Sequence, residues 1–175
     1  PRITDLYAAI AADAARNALI VGDIQEAVRA GRVPVVMTER REHADRLAAL
    51  LVPHVPCVVR LRAGLPAAEV RAARHALADE EAAVGRVLVA TGRYLGEGFD
   101  NARLDTLFLA MPISWRGTLA QYAGRLHRLH AAKREVVIFD YVDASEPVFT
   151  RMAERRRAGY RGLGYTVASG TPLRL

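Results

Sequence analysis

The chain has 175 residues, 51% of them hydrophobic and 25% charged, which specifies one globular domain with a sizeable core and excludes an intrinsically disordered chain. No window approaches 18 uninterrupted apolar residues, so a membrane span is excluded; Cys57 alone supports neither an internal disulfide nor a cysteine metal cluster, and a reducing, cytoplasmic location is expected. The net charge is +6, with a single lysine, Lys133, among 25 basic side chains. Arginine forks onto phosphates bidentately, which suits nucleotide or nucleic-acid partners, although an alanine-rich composition also accounts for the excess. The start, Pro1-Arg2-Ile3-Thr4-Asp5, has neither an initiator Met nor a signal-peptide layout, as expected of a piece cut from a longer protein.

Residues 5–30 place Leu6, Ile10, Ala14, Leu19, Ile20, Ile24, Ala27 and Val28 at helical spacing, predicting one or two helices ended by Gly31. The apolar run 33–37 reads as a buried parallel strand. Helical period returns over 41–51, and 57–61 is a second strand after Pro53 and Pro56. A helix follows at 66–83, then a strand at 86–90, another at 105–110 and a fifth at 135–141. Helices are expected near 118–130 and 146–159, with a frayed tail from Gly162 onward. Alternating strands and helices predict an α/β fold, a parallel sheet of about five or six strands with helices on both faces. Residues 1–165 are expected to form one domain, 1–30 being its N-terminal helical segment, and 166–175 a tail.

Ligands of such sheets sit at the carboxyl ends of strands. Three strand ends carry chemistry: Thr38-Glu39-Arg40-Arg41; the run from Ala90 and Thr91 to Glu97-Gly98-Phe99-Asp100; and Thr118 to Arg128 beyond Met111-Pro112. Gln121, Gly124, Arg125 and Arg128 fall at i, i+3, i+4 and i+7, one helix face with no carboxylate to pair with. Two arginines there point at an anion, and Gly124 beside them admits a close partner. A solvated face is the alternative, and Thr118-x-x-Gln121 also fits a capping box. Thr91-Gly92-x-x-x-Gly96-x-Gly98 spells a dinucleotide fingerprint, but it falls on the third strand. A dehydrogenase of that type also needs a Tyr-x-x-x-Lys pair, and Leu129 stands four residues before Lys133.

Taken in order, these strand ends resemble the second, C-terminal RecA-like domain of superfamily 2 DEAD/DEAH-type helicases and translocases, over about residues 20–142. Val35-Val36-Met37-Thr38 resembles motif IV. Leu61-Arg62-Ala63-Gly64-Leu65 occupies the place of motif IVa, where Leu-His-Gly-Gly-Met is more usual. Val87-Leu88-Val89-Ala90-Thr91 through Asp100 resembles motif V, and Gln121-x-x-Gly124-Arg125-x-x-Arg128 is the Q-x-x-G-R-x-x-R of motif VI. The Glu-Gly-Phe-Asp and Tyr-Ala-Gly-Arg-Leu-His-Arg forms look closest to restriction-type and phage-defence helicase subunits.

The resemblance implies that Arg125 and Arg128 are catalytic arginine fingers. It places Gln121, Gly98, Asp100 and Gly124 at the ATP cleft, and Thr38, Thr91 and Gly64 against the nucleic-acid backbone. No resident metal site is implied. His127 and His130 receive no role. No Gly-x-x-x-x-Gly-Lys-Ser/Thr loop and no metal-binding Asp-Glu motif occurs. ATP and Mg²⁺ are therefore expected to be held mainly by an N-terminal RecA-like domain of the same polypeptide, with DNA or RNA as the other partner and no ATPase from this piece alone. The competing reading is a stand-alone nucleic-acid-binding module using Arg151, Arg155, Arg156, Arg157 and Arg161.

Overall fold

The computed structural model describes residues 2–96 and 101–168. Two helices open the chain, α1 (Ile3–Ala12) and α2 (Ala14–Arg29). The break between them is chemical: the Asp13 carboxylate accepts the Arg16 N–H at 2.9 Å and caps α2. Then follow β1 (Pro34–Thr38), α3 (Arg41–Leu51), β2 (Cys57–Leu61), α4 (Ala67–Ala78), a 3₁₀ turn (Glu81–Ala83) and β3 (Arg86–Thr91). The rest are α5 (Gly92–Gly96), β4 (Thr106–Leu109), α6 (Thr118–Arg125), β5 (Val137–Asp140) and α7 (Pro147–Gly162), which begins with its proline at N1.

The five strands form one parallel sheet in the order β2-β3-β1-β4-β5. This is the RecA-like α/β arrangement, with β1 at its centre. Strand alternation sorts side chains between two cores. Val35, Met37, Leu88, Ala90, Leu107 and Leu109 face α4 and α6 through Leu77, Leu119, Tyr122 and Leu126. Val36, Val87, Val89 and Phe108 face α2 and α3 through Ile20, Ile24, Leu47 and Leu51. Each fully buried Leu or Ile contributes about 1.5–3 kcal/mol, so the two layers fix the sheet between them. In register, Thr38 lies beside Thr91 and Leu109 beside Asp140, which brings the chemically marked strand ends to one edge.

Three elements differ from expectation. The helix expected over 66–83 ends at Ala78, with Asp79 extended and a separate 3₁₀ turn at Glu81–Ala83. The helix expected near 118–130 stops at Arg125, and Gly117, not Thr118, is its N-cap, so no Thr118–Gln121 capping box forms. The expected fraying from Gly162 is not seen as far as Ala168: Tyr165 donates its hydroxyl to the Ala123 carbonyl at 2.8 Å and its ring meets His127 at 4.8 Å.

Candidate functional site

At the end of β1, Thr38 is fully buried. Its hydroxyl and His43 Nδ1 lie 2.9 Å apart, His43 Nε2 lies 2.9 Å from Asn17 Oδ1, and Asn17 Nδ2 donates to the Ala11 carbonyl at 3.1 Å. With the Asn17 amide nitrogen committed to Ala11, its oxygen must accept from His43 Nε2–H, which leaves Nδ1 to accept from Thr38. Burial, helped by the Arg16 and Arg46 charges, pushes His43 down to about 4, so it is neutral at neutral pH. The Thr38 hydroxyl thus belongs to an internal relay that fastens α2 and α3 to β1. Glu39 and Arg41 are exposed at this corner, and Arg41 lies against Gly64 beyond the end of β2. A Cβ on Gly64 would stand 3.1 Å from Arg41 Nη1 and 3.5 Å from Arg62 Nη1, and its φ of +82° itself favours glycine. Arg41 makes no hydrogen bond or ion pair among the described residues; Arg62 is braced by Asp45 at 2.8 Å. Arg41 and Arg62 were not singled out by motif spacing. Two arginines following the apolar run of β1 were the available signal.

At the end of β3, Thr91 is buried and its hydroxyl has no partner among the described residues. An orphaned buried hydroxyl costs about 1–3 kcal/mol, which a phosphate oxygen could offset. Gly98 and Asp100 lie outside the described residues.

At the end of β4, α6 is amphipathic. Leu119, Tyr122, Ala123 and Leu126 are buried against the sheet. Gln121, Gly124 and Arg125 face outward, and a Cβ on Gly124 would meet open space. Arg125 makes no hydrogen bond or ion pair among the described residues. Arg128 is also exposed but sits beyond the helix, in a turn. α5 packs against α6, so the glycine-rich turn after β3 and the arginine-bearing helix adjoin. A groove of about 1310 Å³ runs along β5 with Arg128 in its wall, where Asp13, Asp23, Glu135, Asp140 and Asp143 mix with Arg16, Lys133, Arg134 and Arg157.

The basic cluster on α7 is not what spacing predicts. Arg156 is 0% exposed, forks onto Asp140 at 2.7 and 2.8 Å and donates to the Ile113 carbonyl at 2.8 Å, while Arg151, Arg155 and Arg161 are exposed. Arg156 is therefore removed from any phosphate-binding face. Among the described residues, no group of His, Cys, Asp and Glu could hold a metal ion, and no helix is long and apolar enough to cross a membrane.

No model of a known protein family matches the chain. The uncharacterized protein 108L of Invertebrate iridescent virus 3 is 32% identical over 87 residues, which are 50% of this chain and 79% of that one. The chain belongs to the same family as that viral protein. Among solved structures it is similar to T4 UvsW, at 21% identity and a TM-score of 0.66, with 82% of this chain and 28% of that one covered. It is also similar to the DUF1998 helicase MrfA bound to DNA and AMPPNP, at 17% identity and TM-score 0.59, covering 83% and 20%. A third is the ATP-dependent Type ISP restriction-modification enzyme LlaBIII bound to DNA, at 18% and 0.53, covering 71% and 9%. The chain thus spans about a quarter of UvsW and less of the other two. What the chain shares with these structures is the fold, over the whole sheet.

Proposed function

We propose that this chain is the C-terminal half of an ATP-dependent nucleic-acid helicase or translocase, of the restriction or defence type, and is inactive as an ATPase alone. The observation that carries this reading is α6. It presents Gln121, Gly124 and an Arg125 without hydrogen bond or ion pair among the described residues, on an outward face beside the turn that follows β3. An arginine held by rigid packing yet lacking an internal anion is arranged for a phosphate arriving from outside the domain.

The residues present fit ATP only as one wall. Arg125 and Arg128 supply fixed positive charge, Gly124 leaves room above the helix, and Gln121 adds a polar group to the edge. ATP with Mg²⁺, when bound by an N-terminal RecA-like domain, supplies the phosphoryl group whose transfer releases energy. Arg125 and Arg128 stabilise the charge that develops on the transferring oxygens, and packing of α6 against the sheet means no reorganisation is needed at that moment. On the other corner, Gly64 with Arg41 and Arg62, together with Thr91, would hold backbone phosphates of DNA or RNA. Thr38 keeps β1 and α3 in place beneath them.

The test uses the isolated 175-residue chain. ATP turnover should be at background, because no phosphate cradle is present. Single-stranded DNA should bind weakly, without sequence preference, and with affinity falling steeply as salt rises. Turnover comparable to ordinary NTPases, or binding indifferent to salt, contradicts the proposal.

A further inference from the structure

The end of α6 departs from α-helical bonding at the residues that carry the arginines. In an α-helix the Ala123 carbonyl would accept the His127 N–H. Here His127 N–H bonds to the Gly124 carbonyl at 3.2 Å, and Arg128 N–H to the Arg125 carbonyl at 3.1 Å, both 3₁₀ bonds. The Ala123 carbonyl freed by this tightening is taken by the Tyr165 hydroxyl at 2.8 Å. Two further carbonyls, Leu126 and Arg128, are taken by Lys133 Nζ at 2.6 and 3.0 Å. A helix of eight residues has little stability of its own, and this one has no side-chain cap at its N-terminus. Its last turn is therefore set by two side chains from elsewhere in the chain.

The consequence is geometric. Residues three apart are offset by about 60° around an α-helix but eclipse one another in a 3₁₀ turn. The 3₁₀ turn stacks position 128 over position 125, so both guanidinium groups start from one line along the helix.

We propose that Tyr165 and Lys133 are positioning residues, which hold the last turn of α6 in 3₁₀ form and thereby align Arg125 with Arg128 for a shared anionic substrate. This rests on the reading of α6 as the arginine-finger helix. The rest of the C-terminal segment supports the same turn. Tyr165 N–H bonds to the Tyr160 carbonyl at 3.0 Å, and Tyr160 stands edge-on to Trp115 at 5.1 Å in the loop that leads into α6. A Cβ on Gly159 would lie 2.0 Å from the Trp115 ring, so α7 and that loop meet with no room to spare. Burial pushes the Tyr165 hydroxyl up to about 12, which keeps it a donor at neutral pH.

The experiment compares Tyr165→Phe, Lys133→Met, Lys133→Arg and Arg125→Ala in the full-length protein, measuring kcat and KM for ATP, nucleic-acid affinity and melting temperature. Tyr165→Phe keeps the ring and removes one hydroxyl. Tyr165→Phe and Lys133→Met should each lower kcat by about 10²-fold, the scale of a catalytic group misplaced by about 1 Å, with KM, nucleic-acid affinity and melting temperature nearly unchanged. Lys133→Arg, which keeps donors at the carbonyls, should restore most of the turnover. If Arg125→Ala abolishes turnover while Tyr165→Phe and Lys133→Met leave kcat intact, positioning by these residues is overturned and the finger helix stands. If all parameters fall together with melting temperature, the two residues serve stability alone and the inference is likewise overturned. If Arg125→Ala itself keeps normal turnover, the reading of α6 as the finger helix fails, and the inference with it.

Discussion

The neighbouring strands β1 and β4 end one position apart in register at the same edge of the sheet, and they treat their polar side chains in opposite ways. At β1, Thr38 is spent internally, joined through His43 and Asn17 to a backbone carbonyl. At β4, the loop leads to α6, whose apolar half is buried while Gln121, Gly124 and Arg125 stay outside. A polar residue in a motif therefore has two meanings, and burial decides between them. Buried and bonded, it locks elements together, and its loss costs stability. Exposed over a rigid base, it is kept for a partner, and its loss costs rate.

That contrast can be broken by mutation, the largest effect lying on the exposed side. Arg128→Ala in the full-length protein should lower nucleic-acid-stimulated ATP turnover by about 10³-fold or more while the fold persists. Arg128→Lys should rescue poorly, since an ammonium lacks the planar fork. Steady-state kinetics with circular dichroism as the fold control checks both.

On the buried side, Arg156→Met should cost about 3–5 kcal/mol, because it leaves Asp140 without its partner beneath α7. Its exposed neighbour Arg155→Ala should stay within about 0.5 kcal/mol of the parent. Urea unfolding of the three proteins separates the two positions, and equal losses at both would erase the distinction.

The β1 relay carries a pH signature. Unfolded, His43 takes a proton below about 6.5, whereas burial in the folded chain delays protonation to about 4. Stability from this group is complete above pH 6.5 and is lost as pH falls toward 4. Between pH 7 and pH 5 the loss should be about 2 kcal/mol, and His43→Gln should flatten that slope although it is less stable at pH 7. A slope unchanged by His43→Gln would place the titration elsewhere.

Much of the fold was legible because the strands are short, mainly apolar runs, and residues 34–38, 57–61 and 86–91 formed where that pattern lay. The end of α6 was not legible, since Leu126 continues the apolar period of Leu119 and Tyr122 and nothing local records the turn. Its determinants, Tyr165 and Lys133, lie 42 and 7 residues from the carbonyls they hold. Arg156 was misread for a similar reason: within a run of three arginines only the position facing Asp140 turns inward. Arg41 was marked only as part of the strand end Thr38–Arg41; its meeting with Gly64 was not legible, because the two are distant in sequence and come together only at the sheet edge.

The most direct test of the central claim is the ATP turnover of the full-length Arg125→Ala protein, measured with its ATP affinity. The finger acts on charge that develops only in the transition state, so turnover should collapse by about 10³–10⁵-fold while ATP affinity changes far less. Near-normal nucleic-acid-stimulated turnover in that protein would contradict the assignment of α6 as the helix that completes a motor's ATP site.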